Sequence, residues 1–136
     1  VDFLQTVLPF LDVLMADPKM TDPERHRRST GAPNGLILKN FAMLQNARLP
    51  IIVRTPLVAG VNDDDANIGQ TIAVLKPLKT LAYYELLRYQ PLGLEKFRAL
   101  GRACPTFQPP SEERVRVLCE TIHQAGIRLY VDGKRV

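Results

Sequence analysis

The sequence predicts an α/β protein on a mainly parallel sheet, either one α/β domain or part of a barrel. Three observations carry this. Short apolar runs stand at 12–17, 51–58, 81–89 and 127–131. Between them lie amphipathic segments with helix start and stop signals, and each intervening stretch is long enough for a crossover connection. No internal repeat exists beyond that alternation.

Residues 2–10 (DFLQTVLPF) read as the end of a helix. The first residue is Val1, inside that apolar pattern, and the chain is expected to be a piece of something longer. The run 12–17 (DVLMAD) suits a buried parallel strand closed by Asp17. Asp22–Pro23–Glu24 then starts a short helix: a capping residue, proline in the first turn and an acid at the positive end of the dipole. That helix ends around Ser29–Thr30–Gly31. Asn34 is expected to cap a second helix, in which Ile37, Phe41 and Leu44 share a face. Leu49–Pro50 closes it.

IIVRTPLV (51–58) is the second strand, read as buried on both faces. Gly60 to Asn62 turn the chain, and Asp63, Asp64 and Asp65 complement the dipole of a helix carrying Ile68, Ile72 and Leu75. Pro77 ends it. LAYYELLRY (81–89) is the third strand. Pro91–Leu92–Gly93 is a turn before a short helix over 94–100, with Gly101 at its end. Pro109–Pro110 is a spacer, and Ser111 caps a helix with Glu112 and Glu113 in its first turn. Its stripe is Val115, Leu118, Cys119 and Ile122. Gly126 stops it before the strand 127–131. Strands are thus expected near 12–17, 51–57, 82–88 and 127–131, the first three parallel, with helices on one side.

The 136 residues are about one domain's worth, and 46% hydrophobic content is enough for a core. A net charge of +4 spread over scattered cations, with no Trp, argues against a nucleic-acid platform. No apolar run approaches the ~18 residues of a membrane span. Cys104 and Cys119 lack metal-cluster spacing, and a disulfide between them is disfavoured. The cytoplasm is the expected compartment.

Ligands of β/α proteins gather at the carboxyl ends of strands. Three such ends carry polar side chains: Asp17–Pro18–Lys19, Arg54–Thr55, and Arg88–Tyr89–Gln90. Together they would suit a zwitterionic or anionic ligand. Bland alternatives stand beside this: Asp17 and Lys19 pairing with each other, or Arg54 bridging to Glu85. His26, among charged residues, reads as solvated, and His123 lies on the exposed flank of the last helix. No Ser/His/Asp set, Walker loop or HExxH is present.

At these strand ends the sequence resembles a known family. DVLMADPKMTDPERHRRSTG, IIVRTPLVAGVNDDDANI, ELLRYQPLGLEKFRALG and PPSEERV are similar, in order and approximate spacing, to successive segments of the glycyl-radical-enzyme activating enzymes. These are radical S-adenosylmethionine (SAM) proteins of the pyruvate formate-lyase activase type. The family patterns are D-x-K-x-x-x-x-E-x-H, I-R-x-P-L-x-P-G-x-N-D, E-L-L-P-Y-H-x-L-G-x-x-K-[YF] and a P-P-S-E-E helix start.

The resemblance implies a partial (β/α)6, TIM-like barrel of which residues 1–136 are the C-terminal half, one α/β domain without the cluster-binding N-terminal half. It implies cofactor-binding roles for Asp17, Lys19, Arg54 and Gln90, with no catalytic or metal-ligating residue in the chain. By position Asp17 and Lys19 match residues near the methionine moiety of SAM. Arg54 matches a family arginine facing the sulfonium or the glycyl loop, and the strand end at Gln90 approaches the adenine. The implied activity is reductive cleavage of SAM to place a glycyl radical on a partner enzyme. Implied partners are a glycyl radical enzyme and an electron donor such as flavodoxin or ferredoxin.

Gln90 stands where the family has His, Arg88 where it has Pro, and Ala59 and Pro18 also depart, which suggests a divergent subgroup. Gln can hydrogen-bond a base but cannot titrate near neutrality. The family's C-x-x-x-C-x-x-C loop for a [4Fe-4S] cluster is not in this sequence, and two separated cysteines cannot replace it. The chain alone is therefore expected to fold without binding a cluster or cleaving SAM, and to self-associate through its first strand's open edge or cover it with a helix. The alternatives are a radical SAM enzyme with a small-molecule substrate, and a non-catalytic α/β anion-binding module.

Overall fold

The structure, a computed structural model, describes residues 2–136. Helix α1 (Asp2–Val7) runs into a 3-10 turn (Leu8–Phe10), then β1 (Leu14–Ala16), α2 (Pro23–Thr30), α3 (Gly35–Leu44) and β2 (Ile51–Leu57). There follow α4 (Asp65–Leu75), β3 (Leu81–Arg88), α5 (Leu94–Ala99), α6 (Glu112–Gln124), β4 (Leu129–Val131) and β5 (Lys134–Arg135). The sheet order is β1-β2-β3-β4-β5. The first four strands are parallel and β5 is antiparallel to β4. Parallel neighbours in unbroken chain order, with the helices on one face, give the winding of a β/α barrel; a doubly wound sheet would reverse at a switch point.

The helical layer explains the core. Ile51, Val53 and Leu57 of β2, Tyr84 and Leu86 of β3, and Leu129 and Val131 of β4 meet Phe41, Ile68, Leu75, Leu118 and Ile122 from the helices in one buried cluster. The expectation that the strands are buried on both faces is corrected here. Ile51, Val53, Thr55 and Leu57 are buried while Ile52, Arg54 and Pro56 are only half-buried, so β2 alternates along its whole length. Successive side chains point to opposite faces, and only one face carries helices. The other is open: Met15, Ile52, Arg54, Pro56, Tyr83, Leu87 and Tyr130 lie on it, with the rings of Tyr83 and Tyr130 tilted against each other, their centroids 4.4 Å apart. β1 is the open edge of the sheet, and Leu4 of α1 lies against it, sharing a hollow with Leu14 and Met15.

Most local signals act as read. The Asp22, Asp64 and Ser111 side chains accept the main-chain N–H of Arg25, Asn67 and Arg114, and Gly31, Gly101 and Gly126 take positive φ at helix ends. Two further expectations fail, and one element was not foreseen. Asn34 precedes α3 but does not cap it; its Nδ2 donates to the carbonyls of Met20 (3.2 Å) and Thr21 (2.6 Å). His26 is buried, not solvated, with Nδ1 2.7 Å from the Ala32 carbonyl oxygen. Strand β5 was unforeseen. Asp132 (φ 48) and Gly133 (φ 81) turn the chain in the two-residue hairpin geometry that an Asp-Gly pair favours.

The Asp63–Asp65 run does more than complement a dipole. Arg25 reaches Asp64 at 2.5 Å, and its guanidinium, with the Asn67 N–H, holds that carboxyl below the usual carboxylate range. A carboxyl lowered in the folded state stabilises fully above its unfolded pKa near ~3.9, and this contribution fades as pH falls through the lower folded value. The side chain is 41% exposed, so the effect is screened and small. We expect Asp64→Asn to flatten the acid limb of stability, read as a smaller drop in urea midpoint between about pH 5 and pH 2 than in the unaltered chain.

Candidate functional site

The short β1 sets the geometry of the candidate site. Ala16, its last residue, is in register with Val53. Asp17 therefore leaves the strand level with Arg54, in the middle of β2 and not at its end. Both side chains belong to the open face, because alternation puts 15 and 17 of one strand beside 52 and 54 of the next. Arg54 Nε donates to Asp17 Oδ1 at 3.1 Å, and Lys19 Nζ lies 3.5 Å from Asp17 Oδ2. One carboxylate is thus shared by two cations, with side chains 31–41% exposed. Fixed opposite charges at partial exposure can exchange solvent for a ligand that carries both signs, which a fully buried pair could not do without a large desolvation cost.

Arg54 and Glu85 are register partners, yet their side chains engage elsewhere. Glu85, 8% exposed, accepts the Gly133 N–H at 2.7 Å through Oε1. The β4–β5 turn thereby takes the carboxylate that the sequence offered to Arg54, leaving the guanidinium to Asp17. Arg88 is likewise engaged, paired with Asp132 and with Glu112 at 2.8 Å, which holds its guanidinium above its ordinary pKa against the opposing effect of burial.

Gln90 does not join the charged trio. It is exposed and lines a separate open hollow of about 400 Å³ with Pro56, Leu87, Tyr89, Leu92 and Asp132. Pro56 is two residues beyond Arg54 on the same face of β2, so the hollow adjoins the trio along the strand.

Beneath the trio lies a polar network that sequence reasoning missed. Thr55, fully buried, donates to the Pro18 carbonyl (3.0 Å) and accepts the Tyr84 hydroxyl (2.8 Å), whose pKa burial pushes up. Asn62 donates to the carbonyls of Lys19 and Pro56, both at 2.8 Å. Asn67 accepts the Thr21 N–H at 3.1 Å. The loop after β1 is thus gripped at Pro18, Lys19 and Thr21.

Neither cysteine takes part. Both are free, and burial pushes the Cys119 thiol up, so it stays protonated near neutral pH. Among the described residues no group of three or more His, Cys, Asp or Glu side chains could hold a metal ion. No helix among them is long and apolar enough to cross a membrane.

Parallel strands in chain order, with helices on one face and a cluster of opposite charges beside the first two strands, define a segment of a β/α barrel. A domain of the pyruvate-formate lyase-activating enzyme from Bacteroides vulgatus superposes with a TM-score of 0.80 at 27% identity, covering 97% of this chain and 74% of that one. A radical SAM methyltransferase from Sphaerobacter thermophilus shares the fold, with a TM-score of 0.61 at 20% identity over 91% of this chain and 37% of its own. No family model matches the chain.

In sequence, it is 33% identical over 95% of its length to the indoleacetate decarboxylase activating enzyme of Tractidigestivibacter scatoligenes, covering 42% of that protein. It is 33% identical over 96% of its length to the (2S)-3-sulfopropanediol dehydratase activating enzyme of Klebsiella oxytoca, covering 44% of it. The pyruvate formate-lyase-activating enzyme of Staphylococcus epidermidis is 31% identical over 77% of this chain, with 43% of its own length matched. The chain belongs to the family of glycyl-radical-enzyme activating enzymes of the pyruvate formate-lyase activase type. It spans less than half the length of these curated relatives.

Proposed function

We propose that this chain is the C-terminal half of the barrel of a radical SAM activase, a single α/β unit that holds part of SAM while the whole protein places a glycyl radical on a partner enzyme. The observation that carries this is the Asp17–Lys19–Arg54 cluster at the end of β1 and the middle of β2, on the open face of the sheet. Its charges complement the methionyl end of SAM: Lys19 and Arg54 take the carboxylate, and Asp17 takes the ammonium. Gln90, across the adjoining hollow, hydrogen-bonds an edge of the adenine and stays neutral while doing so. When bound, SAM supplies radical chemistry through reductive cleavage of its sulfonium. The protein's part is to fix that ligand's orientation and to keep water from it.

An iron–sulfur cluster does not fit the residues described. Cys104 precedes α6 and Cys119 lies within it, both free, and three thiolates from one loop are needed. We assign the cluster to the part of the whole protein outside this chain. The partner is a glycyl radical enzyme, the electron donor a flavodoxin or ferredoxin, and the compartment the cytoplasm. The exposed Phe3, Phe10, Val13 and Met15 near the open edge at β1 are where the isolated chain would self-associate.

The test uses the whole protein, reconstituted anaerobically with iron and sulfide, reduced, and mixed with SAM and a candidate glycyl radical enzyme. A glycyl radical doublet by electron paramagnetic resonance on the partner is the expected result. SAM turnover with no radical on any such partner would refute the activase reading.

A further inference from the structure

We propose that Asn62 is a positioning residue for the ligand site: it sets the main chain at Lys19 and through it the Asp17–Lys19–Arg54 cluster. This rests on the reading of that cluster as the site for the methionyl end of SAM. Asn62 lies in the turn between β2 and α4 and is 3% exposed. Its side-chain amide is spent on three main-chain connections, one to the loop after β1 and two at the end of β2. Nδ2 donates to the Lys19 and Pro56 carbonyls, both at 2.8 Å, and Oδ1 accepts the Val58 N–H at 2.8 Å. Its own carbonyl accepts Asn67 Nδ2 at 2.9 Å.

The geometry gives this one side chain a specific task. The Pro56 and Val58 bonds fix the amide to the end of β2, the strand that bears Arg54. The bond to the Lys19 carbonyl then ties the loop bearing Asp17 and Lys19 to that same strand end. No ladder hydrogen bond does this, because β1 pairs with β2 only as far as Ala16 and Val53. Asn62 therefore substitutes for the missing ladder one step past the strand. Thr55 and Asn67 brace the loop on either side, at Pro18 and Thr21, but neither reaches Lys19 itself. The turn is in turn held from outside, by Arg25 on the Val61 carbonyl (2.7 Å) and Arg114 on the Asp63 carbonyl (2.7 Å). A side chain with both a donor pair and an acceptor is required; Asp, isosteric with Asn, has no N–H to give.

The test compares Asn62→Ala with Asp64→Ala in the reconstituted whole protein. Both weaken the same turn, but Asp64 has no bond to the loop at Lys19. Two quantities are read: the urea midpoint and the SAM dissociation constant by calorimetry. Both variants should lower the midpoint. Only Asn62→Ala should raise the SAM dissociation constant, by about 10–100-fold, since small misplacements at a site cost on that order. Equal effects of both variants on SAM binding, or none from Asn62→Ala, would overturn the positioning role. Failure of the unaltered protein to bind SAM would instead overturn the reading of the site itself. Should Asn62→Ala not fold, the unaltered protein still decides: slow exchange of the Asn62 side-chain amide protons supports the role, and fast exchange refutes it.

Discussion

Replacing Arg54 by Ala should weaken SAM binding by about 10–100-fold while leaving the stability of the fold nearly unchanged. A hydrogen bond to a charged group contributes about 1.5–3 kcal/mol, and each 1.4 kcal/mol is about tenfold in affinity. The split between binding and stability is the informative part. Arg54 meets Asp17 at 3.1 Å, but both side chains are about one-third exposed, so their pairing adds little to folding. The variant also leaves Asp17 to Lys19 alone, at the longer 3.5 Å. Arg54→Lys should fall between, because an ammonium keeps the charge and loses the planar fork. Calorimetric titration beside a urea melt reads both quantities. A large loss of stability with unchanged affinity would make the Asp17–Arg54 pair structural.

Thr55→Val should do the reverse, costing about 2–4 kcal/mol of stability despite near-identical shape. Thr55 is fully buried, and its hydroxyl stands between the Tyr84 hydroxyl and the Pro18 carbonyl. Val strands both groups without water or partner, and a buried polar group left unmade costs more than the bond itself contributed. Tyr84→Phe removes one bond and leaves Thr55 its donation to Pro18, so it should cost less, about 1 kcal/mol. Equilibrium urea unfolding of the three chains gives the order. A neutral Thr55→Val would mean that the loop after β1 is held without this hydroxyl.

These two neighbours show what a sequence discloses and what it hides. The elements were legible because each rests on local chemistry: Asp64 caps α4, Ser111 caps α6, and the apolar stripes of both helices are buried. Arg54 and Asp17 were legible as charges on neighbouring parallel strands, although Arg54 lies mid-strand and not at the strand end. Their pairing was not, since Arg54 and Glu85 are register partners and the competition was decided by Gly133, whose N–H takes Glu85. That outcome depends on the β4–β5 turn, for which Asp132–Gly133 was the overlooked signal. Asn34 misled because its side chain can cap its own helix, yet the amide reaches a distant main chain at Met20 and Thr21. Asn62 sits in the expected turn and bonds it locally, and its reach to Lys19 was the part the sequence hid. His26, flanked by Arg25 and Arg27, looked solvated because its sequence neighbours are charged. Helical rotation turns it inward, onto the Ala32 carbonyl.

The alternation of β2 has a further consequence. With helices on one face only, Ile52, Arg54 and Pro56 form a floor that a ligand or another part of the whole protein can cover. On the proposed reading the ligand-bearing face and the incompletely buried face are therefore the same face.

The central claim is that the methionyl end of SAM sits on Asp17, Lys19 and Arg54. Its most direct test is amide and side-chain resonance mapping of the isotopically labelled whole protein titrated with SAM. The account predicts the largest shifts at Asp17 to Met20 and at the Arg54 side chain, with smaller ones at Gln90. Shifts confined to the separate pocket formed by Tyr89, Cys104 and Phe107, with Asp17 and Arg54 unmoved, would contradict it.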